Sequence, residues 1–175
     1  MLKKIAAMLA IALGAVLLYA TTRPDSFRVE REVTIQAPPE KIFPFLADFH
    51  RWGDWSPWEK LDPAMKRTHG GAASGKGAVY QWEGNGEVGN GRMEIVEVTE
   101  PGKVVIQLEF TEPMEARNTA EFVLTPGNGG TRVQWAMHGP SPYLAKVMGV
   151  LVSMDKMIGK DFEIGLSNLK AAAER

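Results

Sequence analysis

Apolar and polar positions in this chain follow a succession of different periods. After Lys3 and Lys4, residues 5–20 carry no charge, and Thr21 and Thr22 extend the run to Arg23 and Pro24. Roughly eighteen helical residues at about 1.5 Å each cover roughly 27 Å, close to the ~30 Å hydrocarbon core, with the lysines and Tyr19 placed for the two interfaces. Beyond Pro24-Asp25-Ser26 the period becomes two: Val29, Val33 and Ile35 alternate with Glu30, Glu32 and Thr34, which predicts a half-buried first strand. Ala37-Pro38-Pro39-Glu40 breaks it, and Pro39 opens a helix whose Ile42, Phe43, Phe45, Leu46 and Phe49 recur at helical spacing. In residues 51–62, Trp52, Trp55 and Trp58 lie three apart, and Pro57 and Pro63 prevent a long helix, so a tight or 3₁₀-like turn is expected.

Residues 76–138 read as successive strands separated by turns. Ala78, Tyr80 and Trp82 share a face, as do Ile106, Leu108 and Phe110, then Ala120, Phe122 and Leu124, then Val133, Trp135 and Met137. Polar partners such as Gln81, Gln107, Glu121 and Gln134 fill the alternate positions, the signature of an antiparallel meander covered on one side. The expected cover is a long terminal helix over residues 143–174, whose Leu144, Val147, Met148, Leu151, Met154, Ile158, Phe162, Leu166 and Leu169 step at three- and four-residue intervals. Gly149, Gly159 and Gly165 predict a bend or a close backbone approach in that helix. The fold class is α+β.

Length and charge narrow the function. The 175 residues allow one domain and a short appendage, divided here into an anchor and linker (1–26) and a folded domain (27–175). Twenty Lys and Arg against 21 Asp and Glu offer no basic drive toward nucleic acid, and none is expected as a partner. The chain has no cysteine, which excludes disulfides, thiolate metal sites and a thiol nucleophile.

The apolar amino terminus has two readings. A cleaved signal peptide shares the charged start and the apolar stretch, but Leu18-Tyr19-Ala20 puts a bulky Leu at the −3 position and Ala20-Thr21-Thr22 is a mediocre site. An uncleaved single-pass anchor is the favoured reading. Lys3 and Lys4 compete with Arg23, Arg28 and Arg31 in setting the topology, and the expectation is a domain outside the cytoplasm. Ala6, Ala10 and Gly14 lie on one helical face as in small-xxx-small packing, which is also ordinary composition for an alanine-rich anchor.

The order strand, helix, helical turn, antiparallel strands and long helix resembles the START-like helix-grip superfamily. Pro39-Glu40-Lys41-Ile42-Phe43, the segment Trp52-x-x-Trp55-Ser56-Pro57-Trp58, Gly75-x-Gly77-x-x-Tyr80-x-Trp82 and residues 155–162 are similar to bacterial members of the polyketide cyclase/dehydrase and lipid-transport family. The likeness covers about residues 27–175 and not the anchor. It implies a curved antiparallel sheet of about seven strands gripping the terminal helix around an apolar cavity for a hydrophobic molecule, while leaving the chemistry open.

Few motifs point to catalysis. Gly84-Asn85-Gly86-Glu87-Val88-Gly89 matches a dinucleotide fingerprint in letters, yet it precedes a strand-like stretch (residues 92–99) and is better explained as a hairpin needing positive φ. His50, His69 and His138 lack metal-ligand spacing, and Ser56, Ser74, Ser141, Ser153 and Ser167 lack a nucleophile elbow; no metal or cofactor is expected. Candidate ligand contacts are Trp55 and Trp58, with Trp52, as a lid, Tyr80, Trp82, Phe110 and Trp135 as walls, and Met137 and Met148, with Met154 and Met157, as adaptable filling, with core packing the alternative for each. Asp155 falls close to the apolar side of the last helix; it either enters the cavity as a polar anchor or general base, or pairs with Lys156, Arg117 or Arg132, or turns to solvent.

Three functions follow. The first is membrane-tethered binding of a hydrophobic small molecule or lipid. The second is a cyclase- or dehydratase-type enzyme for an aromatic or polyketide-like substrate, using Asp155, Glu94 or Arg117, whose distinguishing sign is a buried acid–base pair facing the cavity. The third is an interaction module, whose sign is an exposed aromatic patch.

Overall fold

Seven antiparallel strands form one sheet in the order β1-β7-β6-β5-β4-β3-β2. They are β1 (Ser26–Ile35), β2 (Lys66–Gly71), β3 (Ala78–Glu83), β4 (Asn90–Thr99), β5 (Lys103–Glu112), β6 (Ala116–Gly127) and β7 (Gly130–Pro140). The helices are α1 (Leu2–Thr21), α2 (Pro39–Ala47), the single turn α3 (Trp58–Leu61), α4 (Tyr143–Leu151) and α5 (Met154–Ala173), with a 3₁₀ turn over Phe49–Asp54. The computed structural model describes residues 1–175 apart from the side chain of Leu151. Leu151, which its spacing puts on the apolar face of the terminal helix, therefore lies outside the described side chains.

The period-two rows become the concave face as expected. Ala78, Tyr80 and Trp82 are buried, whereas Gln81 and Glu83 between and beside them are exposed. Register shifts in β4 at Asn90/Gly91 and Ile95/Glu97 interrupt its ladder with β5, and such irregularities bend a strand and add twist. β2 carries no apolar alternation, so nothing in its Lys66-Arg67-Thr68-His69-Gly70-Gly71 predicts a strand. It forms as an edge by pairing with β3, and its exposed charges and glycines suit a strand that must not recruit another chain.

The expected single terminal helix is two helices. Val152 adopts an extended conformation (φ −137°, ψ 115°), and Ser153 starts α5 as its N-cap by accepting from the Lys156 N–H at 3.3 Å. The break falls at this cap and not at a glycine. Gly159 and Gly165 instead permit close approach: a Cβ on Gly159 would strike the Arg31 guanidinium, and one on Gly165 would stand 2.8 Å from the Trp135 ring. α5 buries Phe162, Leu166, Leu169 and Ala173 against the β1 side of the sheet.

The register decides what lies where. Ser26 sits opposite Pro140, His138 opposite Thr119, Ala116 opposite Phe110, Glu112 opposite Asn90, and Glu83 opposite both Asn90 and Lys66. One end of the sheet therefore carries the exit of α1, the β3–β4 loop (84–89), the β5–β6 turn (113–115) and the entry to α4. At the opposite end α2 closes the core, where Ile35, Ile42, Leu46, Val104, Ile106 and Val133 have no exposed surface, and a smaller, more open pocket of about 160 Å³ lies outside it between Phe49, His50, His69 and the β2–β3 turn.

Candidate functional site

A partly enclosed cavity of about 320 Å³ occupies the interior at the α1 end of the sheet. The side chains of Trp82, Met93, Leu108, Phe110 and Met137 line it from the strands, with Trp58 and Met65 from the α3 region and Ile158 from α5. The exposed Glu87, Glu112 and Pro113 mark its lip. The volume falls at the small end of ordinary ligand pockets, whose walls are likewise mostly apolar with a few placed polar groups.

Aromatic rings separate this hollow from the packed end. Trp135 stacks on Phe162 (centroids 4.0 Å apart, 6° between planes) and on Phe122 at 5.0 Å, while Trp55 meets both Phe122 and Trp135 edge-on. The indole N–H of Trp55 donates to the Phe45 carbonyl at 2.9 Å and that of Trp52 to Leu46 at 3.3 Å, so α2 holds the tryptophan turn from behind. Such stacks bring large buried areas together with fixed geometry.

The polar groups of the cavity converge on Glu59, at the first turn of α3. The Tyr80 hydroxyl donates to its Oε1 at 2.5 Å and Arg67 Nε donates to its Oε2 at 2.6 Å. Arg67 is itself fixed by donating to the carbonyls of Met65, Glu59 and Asp62. Burial, reinforced by the Glu59 carboxylate, pushes the Tyr80 phenol above its usual range, and the same carboxylate raises the Arg67 guanidinium further. Tyr80 thus keeps its proton and acts as a donor. Glu59 takes two charge-assisted or short hydrogen bonds and retains lone pairs for a third donor.

The lip is also braced. Asp62, buried, accepts from the backbone N–H of Asn85 at 2.8 Å and of Ala64 at 3.0 Å, and Trp82 Nε1 donates to the Val88 carbonyl at 3.1 Å. The glycine-rich segment is the expected hairpin loop and no helix follows it. Within it only Gly89 has positive φ, at 63°.

The predicted contact residues divide. Trp58, Tyr80, Trp82, Phe110 and Met137 lie together on the cavity wall. Trp55 is fully buried in the aromatic partition, and Trp135 is in the same stack, so neither is on the wall. Met148 stands half exposed on α4, away from the hollow. Asp155 pairs outside with Arg31 on β1 at 2.8 Å, because the new helix start at Ser153 turns it toward that edge. Glu94 pairs with Arg92 and Arg117 with Glu109, all at positions alternating with the inward rows. Trp52 and Trp55 are buried and Trp58 faces the hollow, so these rings form no exposed patch.

Glu59, Arg67 and Met65 were not legible in sequence. A lone acid beside Trp58 and an arginine in a strand without alternation give no sign that they meet. His50 and His69 do meet, with rings stacked at 4.1 Å, and His50 Nδ1 lies 2.9 Å from Asp48. Among the described residues no group of three or more His, Asp or Glu is arranged to hold a metal.

Solved structures of the same architecture accompany this geometry. Protein CV1439 from Chromobacterium violaceum is 14% identical, with a TM-score of 0.59 over 87% of this chain and 99% of its own. MLL2253 from Mesorhizobium loti is 21% identical, with a TM-score of 0.57 over 83% of this chain and 95% of its own. DynU16, from the dynemicin biosynthetic locus, is 16% identical, with a TM-score of 0.57 over 87% of this chain and 48% of its own. At these identities the likeness is one of fold, that of the helix-grip proteins. No curated protein matches the sequence. The profile described as polyketide cyclase / dehydrase and lipid transport matches residues 26–174, all seven strands and both terminal helices, and the chain belongs to that family.

Proposed function

We propose that this chain is a membrane-tethered binding protein for a hydrophobic small molecule or lipid, with α1 as a single-pass anchor and the folded domain outside the cytoplasm. The observation that carries the reading is the division of the interior: the core under α2 is filled by side chains, and at the other end, next to α1, lies the larger, apolar hollow walled by Trp82, Met93, Leu108, Phe110 and Met137. An unfilled apolar cavity costs stability, which a guest offsets by restoring contacts. α1 supports the tether: its 20 residues span about 30 Å, and among the described residues of the helix only Ala20 is buried. Glu59 gives the guest a polar end to meet, favouring a molecule that carries a hydroxyl or amine on an apolar body.

Native mass spectrometry of the full chain extracted from membranes tests this. The expected result is a defined apolar species at near-stoichiometric occupancy, absent from a Leu108→Trp variant that fills the hollow. Repeated recovery of the empty chain overturns it. A reporter joined after Arg175 reads the side of the membrane.

A second reading, a cyclase- or dehydratase-type enzyme, is favoured by one observation: at the cavity wall the buried Tyr80 donates a hydrogen bond to the half-buried Glu59, a candidate acid–base pair for such a reaction. In a dehydration Tyr80 gives its proton to the departing substrate hydroxyl, which leaves as water, while Glu59 takes the proton from the adjacent carbon as the C=C bond forms. Conversion of an aromatic polyketide-like substrate that stops in both Tyr80→Phe and Glu59→Gln would establish it.

A further inference from the structure

Helix α4 turns to solvent a face with no charge on it. Its one ionisable cation, Lys146, is turned away and paired with Asp25 in the linker. Leu144 and Met148 and, just past the helix, Val152 follow one another four residues apart, exposed by 62%, 50% and 49%. Tyr143 and Met157 are about as exposed and lie in the adjoining turns. Single exposed apolar residues are ordinary on a soluble surface, but a run of large ones without a charge marks a surface that something apolar covers.

Two contacts show what lies next to it. The Tyr143 hydroxyl donates to the carbonyl of Leu17, within α1, at 3.0 Å, and the Asp25–Lys146 pair clamps the linker between α1 and β1 onto the same helix. The apolar surface of α1 therefore meets α4 directly, with Arg23 and the exposed Asp25 in the linker beside the contact. The strand register adds a third relation: α4 leaves the sheet at the end that carries the loops forming the cavity lip.

We infer that α4 is an interfacial helix that lies along the bilayer surface, with Leu144, Met148 and Val152 sunk into the boundary between headgroups and acyl chains, and that it holds the cavity mouth against the lipid. The inference rests on the anchor reading of α1. The occupant is the lipid surface itself, because the face continues a helix of membrane-spanning length and offers nothing but hydrocarbon and a phenol. Immersion by about 5–10 Å is what such helices reach. With Lys146 already neutralised by Asp25, the face itself carries no charge, so the docking does not require anionic headgroups and works on zwitterionic lipid.

The absence of native cysteine makes the test direct. Single cysteines replace Leu144, Met148 or Met157, with Ile11→Cys in the anchor and Lys41→Cys on α2 at the far end of the sheet as references. Each full chain carries an environment-sensitive fluorophore and is reconstituted in phosphatidylcholine vesicles. Expected are blue-shifted emission and quenching by acyl-chain nitroxides at 144, 148 and 157, as at 11, with iodide quenching only at 41. If 11 is quenched from the lipid while 144, 148 and 157 answer only to iodide, the docking is overturned and the anchor stands. If 11 also answers to iodide, the anchor fails and the docking with it. Protection at 144 and 148 from both quenchers means that a second copy or another protein covers the face, and this too overturns the proposal. In the label-157 chain, Leu144→Glu with Met148→Glu is expected to restore iodide quenching, and unchanged lipid quenching there counts against the assignment.

Discussion

Tyr80 and Glu59 share a hydrogen bond of 2.5 Å across the wall of the hollow, joining the third strand to the one-turn helix that follows the tryptophans. The phenol is buried and its ordinary ionisation is suppressed, first by burial and then by the neighbouring carboxylate. The folded state thus holds a proton that the unfolded state releases at alkaline pH. The stability this contributes is complete below the ordinary tyrosine range and is lost as pH rises through and above it.

Tyr80→Phe is therefore expected to flatten the alkaline limb of the stability curve. Urea unfolding from about pH 8 to about pH 11 should show the wild type losing more stability than the variant. At neutral pH the substitution costs about 1–2 kcal/mol for the lost bond. Parallel curves for the two proteins would show that the phenol is not held in this way.

His69 gives the opposite sign at the other end of the scale. Partial desolvation of its otherwise exposed ring, followed by the stacked His50, lowers its ionisation below the ordinary histidine value, against the raising influence of the Phe49 backbone, Glu59 and Asp48. Its contribution is present above the ordinary value and is lost as pH falls through it toward the lowered one. The thermal midpoint of the wild type should drop between about pH 7 and about pH 5 by more than that of His69→Phe, which keeps the ring stack without the proton. An equal drop in both would remove His69 as the cause.

Gly91 faces Trp82 across the β3–β4 pair, and a Cβ there would stand 2.5 Å from the indole and 2.6 Å from the Glu109 carbonyl. Gly91→Ala should cost about 1–3 kcal/mol by overpacking, since one of its two obstacles is backbone. It should also drive the Trp82 ring into the hollow and reduce guest occupancy, read by native mass spectrometry. Unchanged stability would mean that the strands separate more easily than their register implies.

Asp62 ties the β3–β4 loop to the end of α3 through two backbone N–H groups. Asp62→Ala should cost about 1–3 kcal/mol and speed guest release, because the lip loses its brace while the wall stays intact. Release kinetics of a fluorescent fatty acid from wild type and variant measure this, and equal rates would show that the loop does not control the exit.

Much of the architecture was legible because side-chain period reports which face of a strand is covered. The row Ala78, Tyr80 and Trp82 reads correctly from alternation alone, and so does the row Ile106, Leu108 and Phe110. Alternation does not say what covers each residue. Ile106 and Leu108 share a face two positions apart, yet the first is sealed in the core and the second lines the hollow. Trp55 and Trp58 were equivalent in spacing, and only the path of the turn over α2 sends one into the partition and the other to the wall. Spacing alone leaves Asp155 in the cavity, in an ion pair or in solvent; the cap at Ser153 resets the helical phase and turns it out to Arg31, a partner that spacing does not suggest. Glu59 and Arg67 were invisible because their pairing joins a single helical turn to an edge strand with no periodic pattern.

The aromatic partition of Trp55, Phe122, Trp135 and Phe162 closes the hollow on the side of the packed core. For a guest bound as proposed, the rings leave no route through the packed core by which an incoming molecule could push out its predecessor. Exchange of such a guest would then be sequential, paced by how readily the resident leaves. The stacked rings also fix the depth of the hollow on that side, so a longer guest extends outward past the lip and not inward.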